Sequence, residues 1–374
     1  MIIETEKFKD VCSTILGAID SNELSTLTET LELKTIGKVL YLNVTNGEYY
    51  ASVKFDLDHE EEFKASVNAN LFLKLIAAVT SSTIELQVKD TYVLVKANGT
   101  YKIPLIYDDG KLLELPEIKI NNKTVEMKVS GDILESILNY NSKELLRGTI
   151  SRPVQKLFYI DEKGCLTFTS GACVNNFTLS KPIRVLLNNR LVKLFKLFKN
   201  DMVDFTLGYD PISEEIVQTK VSFVTKTITL VAVTGCNDEL LNSVPVAAIR
   251  GRAEATYAYN VVFNKQELSE TIDRLLLFSA GYGSAKNLKP YSTFECENDS
   301  VTIYDSNKEN KEVIKFKNGT TVSEKYSMTL DLADLKMVLD TISDEYITVA
   351  FGNHQAIVIK RAAISNIIPE VKSI

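Results

Sequence analysis

The stretch from residue 68 to residue 95 reads NANLFLKLIAAVTSSTIELQVKDTYVLV and contains the unit from which the whole chain is built. Apolar residues recur at helical spacing in its first half: Leu71, Phe72, Leu75, Ile76 and Val79. This spacing predicts an amphipathic helix. The second half alternates apolar and polar residues in two runs, Ile84–Val88 and Tyr92–Val95. Because only a short polar segment separates the runs, they predict a β-hairpin that turns at Lys89-Asp90.

The same combination recurs along the chain. Helical stripes begin near residues 8, 68, 130, 188, 264 and 331, and strand-like alternation lies between them, for example at 203–207, 221–224, 228–231, 347–351 and 356–359. Capping residues mark several starts: Ser130, Asn264 with Glu267, and Asp331. Because two such units make one domain, we predict an α+β fold of three tandem domains, each with two helices packed on antiparallel sheets.

The predicted domains span residues 1–122, 123–250 and 251–374. Pro116 and the Lys119–Lys123 stretch mark the first boundary, and Pro245 and Gly251 mark the second. At 374 residues the chain is too long for one ordinary core, which agrees with several domains.

Composition excludes several classes of protein. A hydrophobic content of 45% with 24% charged residues is typical of a soluble globular protein, and we expect no membrane partner because no apolar run approaches the length of a span. The five cysteines are scattered and never spaced as Cys-x-x-Cys, so we expect reduced thiols in a cytosol, without disulfides or zinc. The net charge of −7 argues against a protein that binds nucleic acid through a large basic excess.

Catalytic patterns are scarce. The chain has two histidines, neither with a second His or Cys at metal-ligand spacing, and it has neither a phosphate-binding Gly-x-x-x-x-Gly-Lys-Ser/Thr loop nor a Gly-x-Ser-x-Gly elbow. Gly281-Tyr282-Gly283 follows a predicted helix and is interpreted as a helix stop, with a nucleotide loop as the alternative. The acidic run at 56–62 is interpreted as a solvated loop, with a metal site as the alternative. We therefore predict a non-enzyme without cofactor or metal.

Positive charge concentrates on the fourth predicted helix. Its apolar stripe comprises Leu191, Leu194, Phe195 and Phe198. Lys193 and Lys196 project from the opposite face, flanked by Arg190 and Lys199. This basic strip is either a binding surface or an ordinary solvated helix face. Other candidate cations lie on or just after the remaining helices: Lys7, Lys74, Arg147, Arg274 and Lys336.

Several segments together resemble the bacterial DNA polymerase III beta subunit, and the likeness extends over the full length of the chain. The segments are the ending Ala363–Val371, the run Gly235–Pro245, Thr169–Ala172 and Phe278-Ser279-Ala280. The chain departs from the family pattern at Cys236-Asn237-Asp238 and at Cys173-Val174-Asn175. These departures indicate a divergent member of the family, either bacterial or phage-encoded.

The resemblance implies a sliding clamp that acts in the cytoplasm of a bacterial host. In this family two copies associate head to tail into a ring around duplex DNA, the helices line the channel, and the ring tethers the replicative polymerase. Such a ring is held topologically, so weak, sequence-independent phosphate contacts suffice and an acidic net charge is no obstacle. The nine cations named above would then face the DNA.

The resemblance also implies two protein-binding surfaces. Short linear peptides of the polymerase and clamp loader would bind a cleft formed by Leu146, Ser170, Cys173, Val244, His354, Ile367, Ile368 and Pro369. Residues 367–369 could instead belong to a C-terminal edge strand that packs into its own core. The dimer contact would join Leu75, Val79 and Tyr101 of one subunit to Leu277 and Phe278 of the other, with ordinary core membership as the alternative for each.

Two other hypotheses stay open at this point. A relative with the same fold could serve as a monomeric adaptor in viral replication or transcription without encircling DNA. A hydrolase could use the acidic run near Asp56.

Overall fold

A computed structural model describes residues 1–19, 25–146, 152–211, 217–234, 237–279, 290–353 and 355–371. Its helices are α1 (Thr5–Leu16), α2 (Thr26–Glu29), α3 (Ala69–Ala78), α4 (Gly131–Ser136), α5 (Ser142–Glu144), α6 (Asn189–Lys193), α7 (Asp238–Ser243), α8 (Val246–Glu254), α9 (Lys265–Ser279) and α10 (Leu332–Leu339). A π-helical turn, Ile137–Asn141, joins α4 to α5, and Pro153–Lys156 and Leu194–Phe198 are 3₁₀ helices.

The strands alternate with these helices along the chain. They are β1 (Ile2–Glu4), β2 (Thr30–Ile36), β3 (Val39–Thr45), β4 (Tyr49–Asp56), β5 (Lys64–Asn68), β6 (Thr83–Val88), β7 (Tyr92–Lys96), β8 (Thr100–Pro104), β9 (Tyr107–Asp108), β10 (Lys111–Leu112), β11 (Lys123–Ser130), β12 (Leu157–Asp161), β13 (Gly164–Phe168), β14 (Ala172–Asn176), β15 (Arg184–Asn188), β16 (Met202–Pro211), β17 (Val217–Val224), β18 (Ile228–Thr234), β19 (Tyr259–Asn264), β20 (Tyr291–Asn298), β21 (Ser300–Tyr304), β22 (Lys311–Lys315), β23 (Val322–Asp331), β24 (Tyr346–Phe351), β25 (Ala356–Lys360) and β26 (Ile364–Pro369). The runs predicted as strands from their alternation are all strands.

All six predicted helices are present, and each begins directly after a strand. In five of them the last residue of that strand caps the helix, its side-chain oxygen accepting a hydrogen bond from a backbone N–H of the first turn: Asn68, Ser130, Asn188, Asn264 and Asp331. Each cap satisfies a donor that the helix itself leaves unpaired. The polar residue at the end of an apolar strand therefore fixes where each helix begins.

The described residues group into two compact units. The first contains Met1–Glu135 and Lys193–Cys236. It has an eight-stranded antiparallel sheet of order β11-β16-β17-β18-β4-β3-β2-β5 and a four-stranded sheet of order β1-β6-β7-β8. Its core includes Phe8 of α1, whose ring packs edge-on against Phe72 of α3 and Phe55 of β4, with ring centroids 6.3 and 5.5 Å apart.

The second unit contains Ser136–Val192 and Asn237–Ile374. It has an eight-stranded antiparallel sheet of order β15-β12-β13-β14-β26-β25-β24-β19 and a four-stranded sheet of order β22-β21-β20-β23. A buried apolar cluster between its strands and the helices α9 and α10 includes Leu268, Ile272, Leu335 and Ile368. These contacts, and not helix propensity alone, hold α9 and α10 in place.

Each eight-stranded sheet joins strands of two predicted domains. Strand β18 pairs with β4, and β14 pairs with β26, in both cases antiparallel. The strands of the second predicted domain are therefore shared between the two units, and the three-domain division stays a prediction. Of the two residues that mark the second predicted boundary, Pro245 directly precedes α8 and Gly251 lies within it. Proline is tolerated at a helix start because the N–H it lacks would have no partner there.

Four of the five cysteines lie in the described part, and all four are buried free thiols: Cys12, Cys165, Cys173 and Cys296. Burial disfavours the thiolate, and it raises the pKa of Cys296 to about 12. These thiols are thus unreactive at neutral pH. Cys236 lies outside the described residues, as do Gly281-Tyr282-Gly283. No helix in the described part is both long and apolar enough to cross a membrane.

Candidate functional site

The predicted basic strip lies on a helix that changes type halfway. After α6 the chain continues as a 3₁₀ helix, which has three residues per turn, so side chains three residues apart line up. Lys193, Lys196 and Lys199 have this spacing and are all exposed, whereas Leu191, Leu194, Phe195 and Phe198 are buried. The predicted division into a buried and a basic face is confirmed. The 3₁₀ conformation, which the sequence did not predict, aligns the three lysines.

Two lysines of this strip have no acidic partner among the described residues. Lys193 and Lys196 form no ion pair there, whereas Lys199 lies 2.8 Å from Glu135. This hydrogen bond raises the pKa of Lys199. The strip also borders the end of α1: a Cβ on Gly17 would lie 3.2 Å from Leu197 and 3.4 Å from Lys196. Glycine thus lets the end of α1 approach this turn closely.

Three of the remaining predicted cations are paired with acidic side chains: Lys7, Arg274 and Lys336. Lys7 bonds to Glu4 at 2.6 Å, and Arg274 forms two hydrogen bonds to Glu312, at 2.8 and 2.6 Å. Lys336 lies 2.7 Å from Asp273. Burial lowers the pKa of Lys336, but the hydrogen bond to Asp273 acts in the opposite direction, and the net shift is upward. These pairs are partly or fully solvated and weak, so a phosphate can compete for the cations.

Lys74 and Arg190 are exposed on α3 and α6, respectively. Arg147 lies outside the described residues. Lys193, Lys196 and Lys74 therefore remain the most available cations of the predicted set.

The predicted peptide cleft needs correction at its centre. Strand β26 is an interior strand, paired with β14 on one side and β25 on the other. Cys173 and Ile368 are completely buried, and Ile367 and Val244 are only 5% and 7% exposed. All four side chains therefore belong to the core. For Ile367 and Ile368 this is the alternative stated above, although β26 is not an edge strand. The apolar pattern of residues 367–368 suits a surface cleft and an interior strand equally, so the sequence could not distinguish them.

Three other predicted cleft residues retain accessible surface. Leu146, just after α5, is 66% exposed, Ser170 is exposed and Pro369 is half-buried. The Ser170 hydroxyl donates to Asp334 Oδ2 of α10 at 3.0 Å, which ties the β13–β14 turn to that helix. His354 lies outside the described residues.

The predicted dimer residues differ in exposure. Leu277 is 70% exposed and Phe278 is 49% exposed at the end of α9, and Tyr101 of β8 is 39% exposed. Leu75 is half-buried. Val79 is only 3% exposed, so it belongs to the core and its assignment to an interface is wrong. Two adjacent large apolar side chains left in water at a helix end suggest a surface that a partner covers.

Two open sheet edges, those of β8 and β22, belong to the same parts of the fold as these residues. The sequence indicated β8, through Tyr101, but not β22. In the described part, β8 ends the four-stranded sheet of the first unit and β22 ends that of the second. Strand β22 carries Val313, 61% exposed, and Glu312, which holds Arg274. An open strand edge presents unpaired N–H and C=O groups that another strand can bind. The sequence signal for β22 is weak because its residues are mostly charged.

The acidic run at 56–62 brings no metal-ligand cluster together. Within the described ranges, no three His, Cys, Asp or Glu side chains are placed so that they could hold a metal ion.

Solved structures share the fold of this chain over its full length. The DNA polymerase III subunit beta from Pseudomonas aeruginosa matches with a TM-score of 0.78 and 14% sequence identity, over 100% of both chains. The beta subunit from DNA polymerase of Streptococcus pyogenes matches with a TM-score of 0.79 and 15% identity, over 100% of this chain and 99% of that one. The DNA polymerase III beta subunit from Thermotoga maritima matches with a TM-score of 0.77 and 15% identity, over 100% of this chain and 99% of that one.

No protein-family model and no curated protein sequence matches the chain. The chain therefore has the α+β fold of the bacterial DNA polymerase III beta subunits with a strongly diverged sequence.

Proposed function

We propose that this protein is a non-catalytic DNA sliding clamp, which encircles duplex DNA as a homodimeric ring in the cytoplasm of a bacterial host and tethers a DNA polymerase. The observation that carries the proposal is the fold match to DNA polymerase III beta subunits over the whole chain. Because fold alone does not determine function, the proposal also rests on the basic strip and on the exposed apolar surfaces.

The basic strip supports contact with DNA. Lys193 and Lys196 are exposed, aligned and without acidic partners among the described residues, on a protein whose net charge is −7. Cations that contact phosphates bind any sequence and exchange readily, which suits a protein that slides. The acidic remainder would discourage nonspecific binding to the outside of a ring.

Ring closure is supported by two surfaces that suit each other. One subunit would contribute Tyr101 and the open edge of β8, and the other Leu277, Phe278 and the open edge of β22. Pairing β8 with β22 would extend two four-stranded sheets into one and cover the apolar end of α9. Such a head-to-tail contact closes into a ring when the rotation per subunit is half a turn.

For partner peptides we propose the surface around Leu146, Ser170 and Pro369. Leu146 offers exposed apolar area, and the nearby buried side chains Cys173, Ile367 and Ile368 would form its support and not its lining. A short linear peptide with an apolar residue fits such a surface.

The decisive test is retention on DNA after loading by a cognate or heterologous clamp loader. On nicked circular DNA the protein should stay bound through gel filtration, and cutting the circle once should release it. Equal retention on circular and linear DNA, or nanomolar salt-resistant binding to short linear duplexes, would contradict topological capture. Light scattering separates the monomeric adaptor from the clamp, since a ring has about twice the 41.8 kDa mass of the chain.

A further inference from the structure

A row of polar side chains crosses the large sheet of the first unit. Glu32 of β2 pairs with Asn43 of β3, Asn43 with Ser52 of β4, and Ser52 with Thr229 of β18. Phe55 of β4 packs on Phe8 of α1, so the side chains at alternate positions of that strand point to the opposite face. The polar row therefore lies on the sheet face turned away from α1.

This face carries a cavity of about 490 Å³. The residues that line it include the buried polar side chains Glu32, Asn43, Tyr50 and Ser52, here called its floor, and also Glu114, Leu115 and Glu117. The floor side chains are 3% to 8% exposed, although each carries polar atoms. The cavity is large enough for a small ligand or for one long side chain with its flanking backbone.

One hydrogen-bond acceptor at the floor lacks a donor. The Asn43 amide donates from Nδ2 to Glu32 Oε2 at 2.9 Å. A carboxylate can only accept, so this bond fixes the orientation of the amide, with Nδ2 toward Glu32 and Oδ1 away from it. Asn43 Oδ1 is buried and has no hydrogen-bond partner among the described residues. Burying a polar atom without a partner is unfavourable, so Asn43 Oδ1 requires a donor that the described residues do not supply.

The Glu32 carboxylate lacks a cation as well. It is 5% exposed, and in the part of the chain that the structure describes it forms no ion pair. Two lysines at the rim, Lys34 and Lys54, stay beyond ion-pair distance of Glu32. The carboxylate of Glu114, by contrast, is held by Lys64. A buried carboxylate is stable only when it is paired or well hydrogen-bonded.

The hydroxyl of Tyr50 completes the arrangement. Burial and then the charge of Glu32 raise the pKa of Tyr50, so the hydroxyl stays protonated at neutral pH. The floor thus presents the carboxylate of Glu32, the unpaired amide oxygen of Asn43 and the hydroxyls of Tyr50 and Ser52. These groups are complementary to a cation with several N–H donors held in one plane.

We propose that this cavity binds a guanidinium group, presented by an arginine side chain of a partner protein. One edge of the guanidinium would donate to the free oxygen of Glu32 and another N–H to Asn43 Oδ1. An ammonium could satisfy the charge but lacks the planar fork that serves two acceptors at once. The site is separate from the basic strip and from the peptide surface proposed above, so it would add a binding surface for a different segment.

Calorimetry with Nα-acetyl-arginine amide at low salt tests the proposal. Wild-type protein should bind one equivalent, and Glu32→Gln, which retains the bond to Asn43 but removes the charge, should weaken binding about ten-fold or more. Tyr50→Phe should weaken it a few-fold without disturbing Glu32. The matched control is Glu62→Gln, which removes one exposed acid of the same unit and should bind like the wild type.

The ligand series separates the chemistry and its source. Nα-acetyl-citrulline amide has nearly the same shape without charge and should not bind. A peptide acetyl-Gly-Arg-Gly-amide should bind more tightly than agmatine if the guanidinium belongs to a protein, and the reverse order would transfer the site to a free small molecule and overturn the partner assignment. No binding of the arginine amide by the wild type, as expected if only water fills the cavity, would overturn the site itself. Binding of the arginine amide by Glu32→Gln and by Tyr50→Phe with the same affinity as the wild type would overturn the site as well.

Discussion

Arg250 of α8 and Asp161 of β12 form a two-pronged ion pair, in which Nη1 donates to Oδ2 and Nη2 to Oδ1, both at 2.7 Å. The two side chains are 16% and 8% exposed. Burial would raise the pKa of Asp161, but the hydrogen bonds from Arg250 and from the backbone of Lys163 outweigh it, and the net shift is downward. Helix α8, which follows Pro245, is thus fastened to the sheet and is not a flexible linker.

Breaking this pair should destabilise the second unit. Arg250→Ala leaves the Asp161 carboxylate largely buried without its cation, and we expect a loss of about 3 kcal/mol in the free energy of unfolding. Arg252→Ala is the matched control on the same helix, since Arg252 is exposed, and it should change stability by less than ~0.5 kcal/mol. Urea denaturation of both variants measures the difference. Equal stabilities would mean that the pair contributes nothing to the fold.

Asp210 should make stability depend on pH in acid. Lys220 donates to its carboxylate at 2.9 Å, and this bond together with the backbone N–H groups of Asn121 and Asn122 lowers the pKa of Asp210 to about 2 despite opposing burial. Because the folded pKa lies below the unfolded value of about 3.9, the stabilisation is complete above that value and disappears as the pH falls toward 2.

The variant Asp210→Asn tests this linkage. It should lose on the order of 2 kcal/mol of stability at pH 6, since hydrogen bonds to a charged group are among the stronger ones. The difference from wild type should shrink between pH 4 and pH 2, as followed by urea denaturation at a series of pH values. Asp108→Asn, at the exposed end of β9, is the control. A difference that stays constant down to pH 2 would rule out the ionised carboxylate as its cause.

The basic strip should matter for DNA and not for folding. Lys193→Glu with Lys196→Glu should change stability by only ~0.5 kcal/mol, because both side chains are exposed. Processivity of the cognate polymerase on a long circular template should fall, and the salt dependence should become shallower because fewer counterions are released. Lys38→Glu with Lys226→Glu, in exposed turns between strands, makes the same charge change as a control. If the Lys193→Glu, Lys196→Glu variant keeps wild-type processivity at two salt concentrations, the strip is only a solvated surface.

The end of α9 should decide the oligomeric state. Leu277→Asp with Phe278→Asp should give a folded monomer of 41.8 kDa, because two carboxylates cannot be desolvated cheaply in an apolar contact. Met202→Asp with Val217→Asp changes two other exposed apolar side chains and should leave a dimer. Light scattering gives the masses, and circular dichroism checks the fold. An unchanged dimer would exclude these residues from the contact, and global unfolding would place them in the core.

The sequence identified the elements that depend on near neighbours. The stripe around Phe195 and Phe198 predicted which face of the fourth helix is buried, and both rings are inaccessible. Asn264 and Asp331 stand at the helix starts that their capping chemistry predicted. These features are local, since a cap or a stripe is specified by residues within a few positions of each other.

The site was only partly predictable, because exposure depends on what distant strands cover. The family resemblance predicts Val79 and Tyr101 at the same interface, yet Val79 is buried and Tyr101 is open to solvent. Cys173 and Ile368 have the apolar character of a cleft lining, but β26 enters the middle of a sheet and removes them from the surface. The polar row at Asn43 was not recognised, since alternation in a strand gives no indication of a cavity above it.

By itself the sequence determined the α+β class, the six strand-to-helix units and the buried and basic faces of the fourth helix. Only the tertiary structure decided that β18 joins β4 and β14 joins β26, and with these pairings which apolar residues become core and which polar ones line a cavity. The physical reason is the distance along the sequence between the residues that determine each feature. Helix stripes and caps are set by contacts within a few residues, whereas the pairing of strands far apart in sequence depends on shape and burial in the complete chain, which no local pattern encodes.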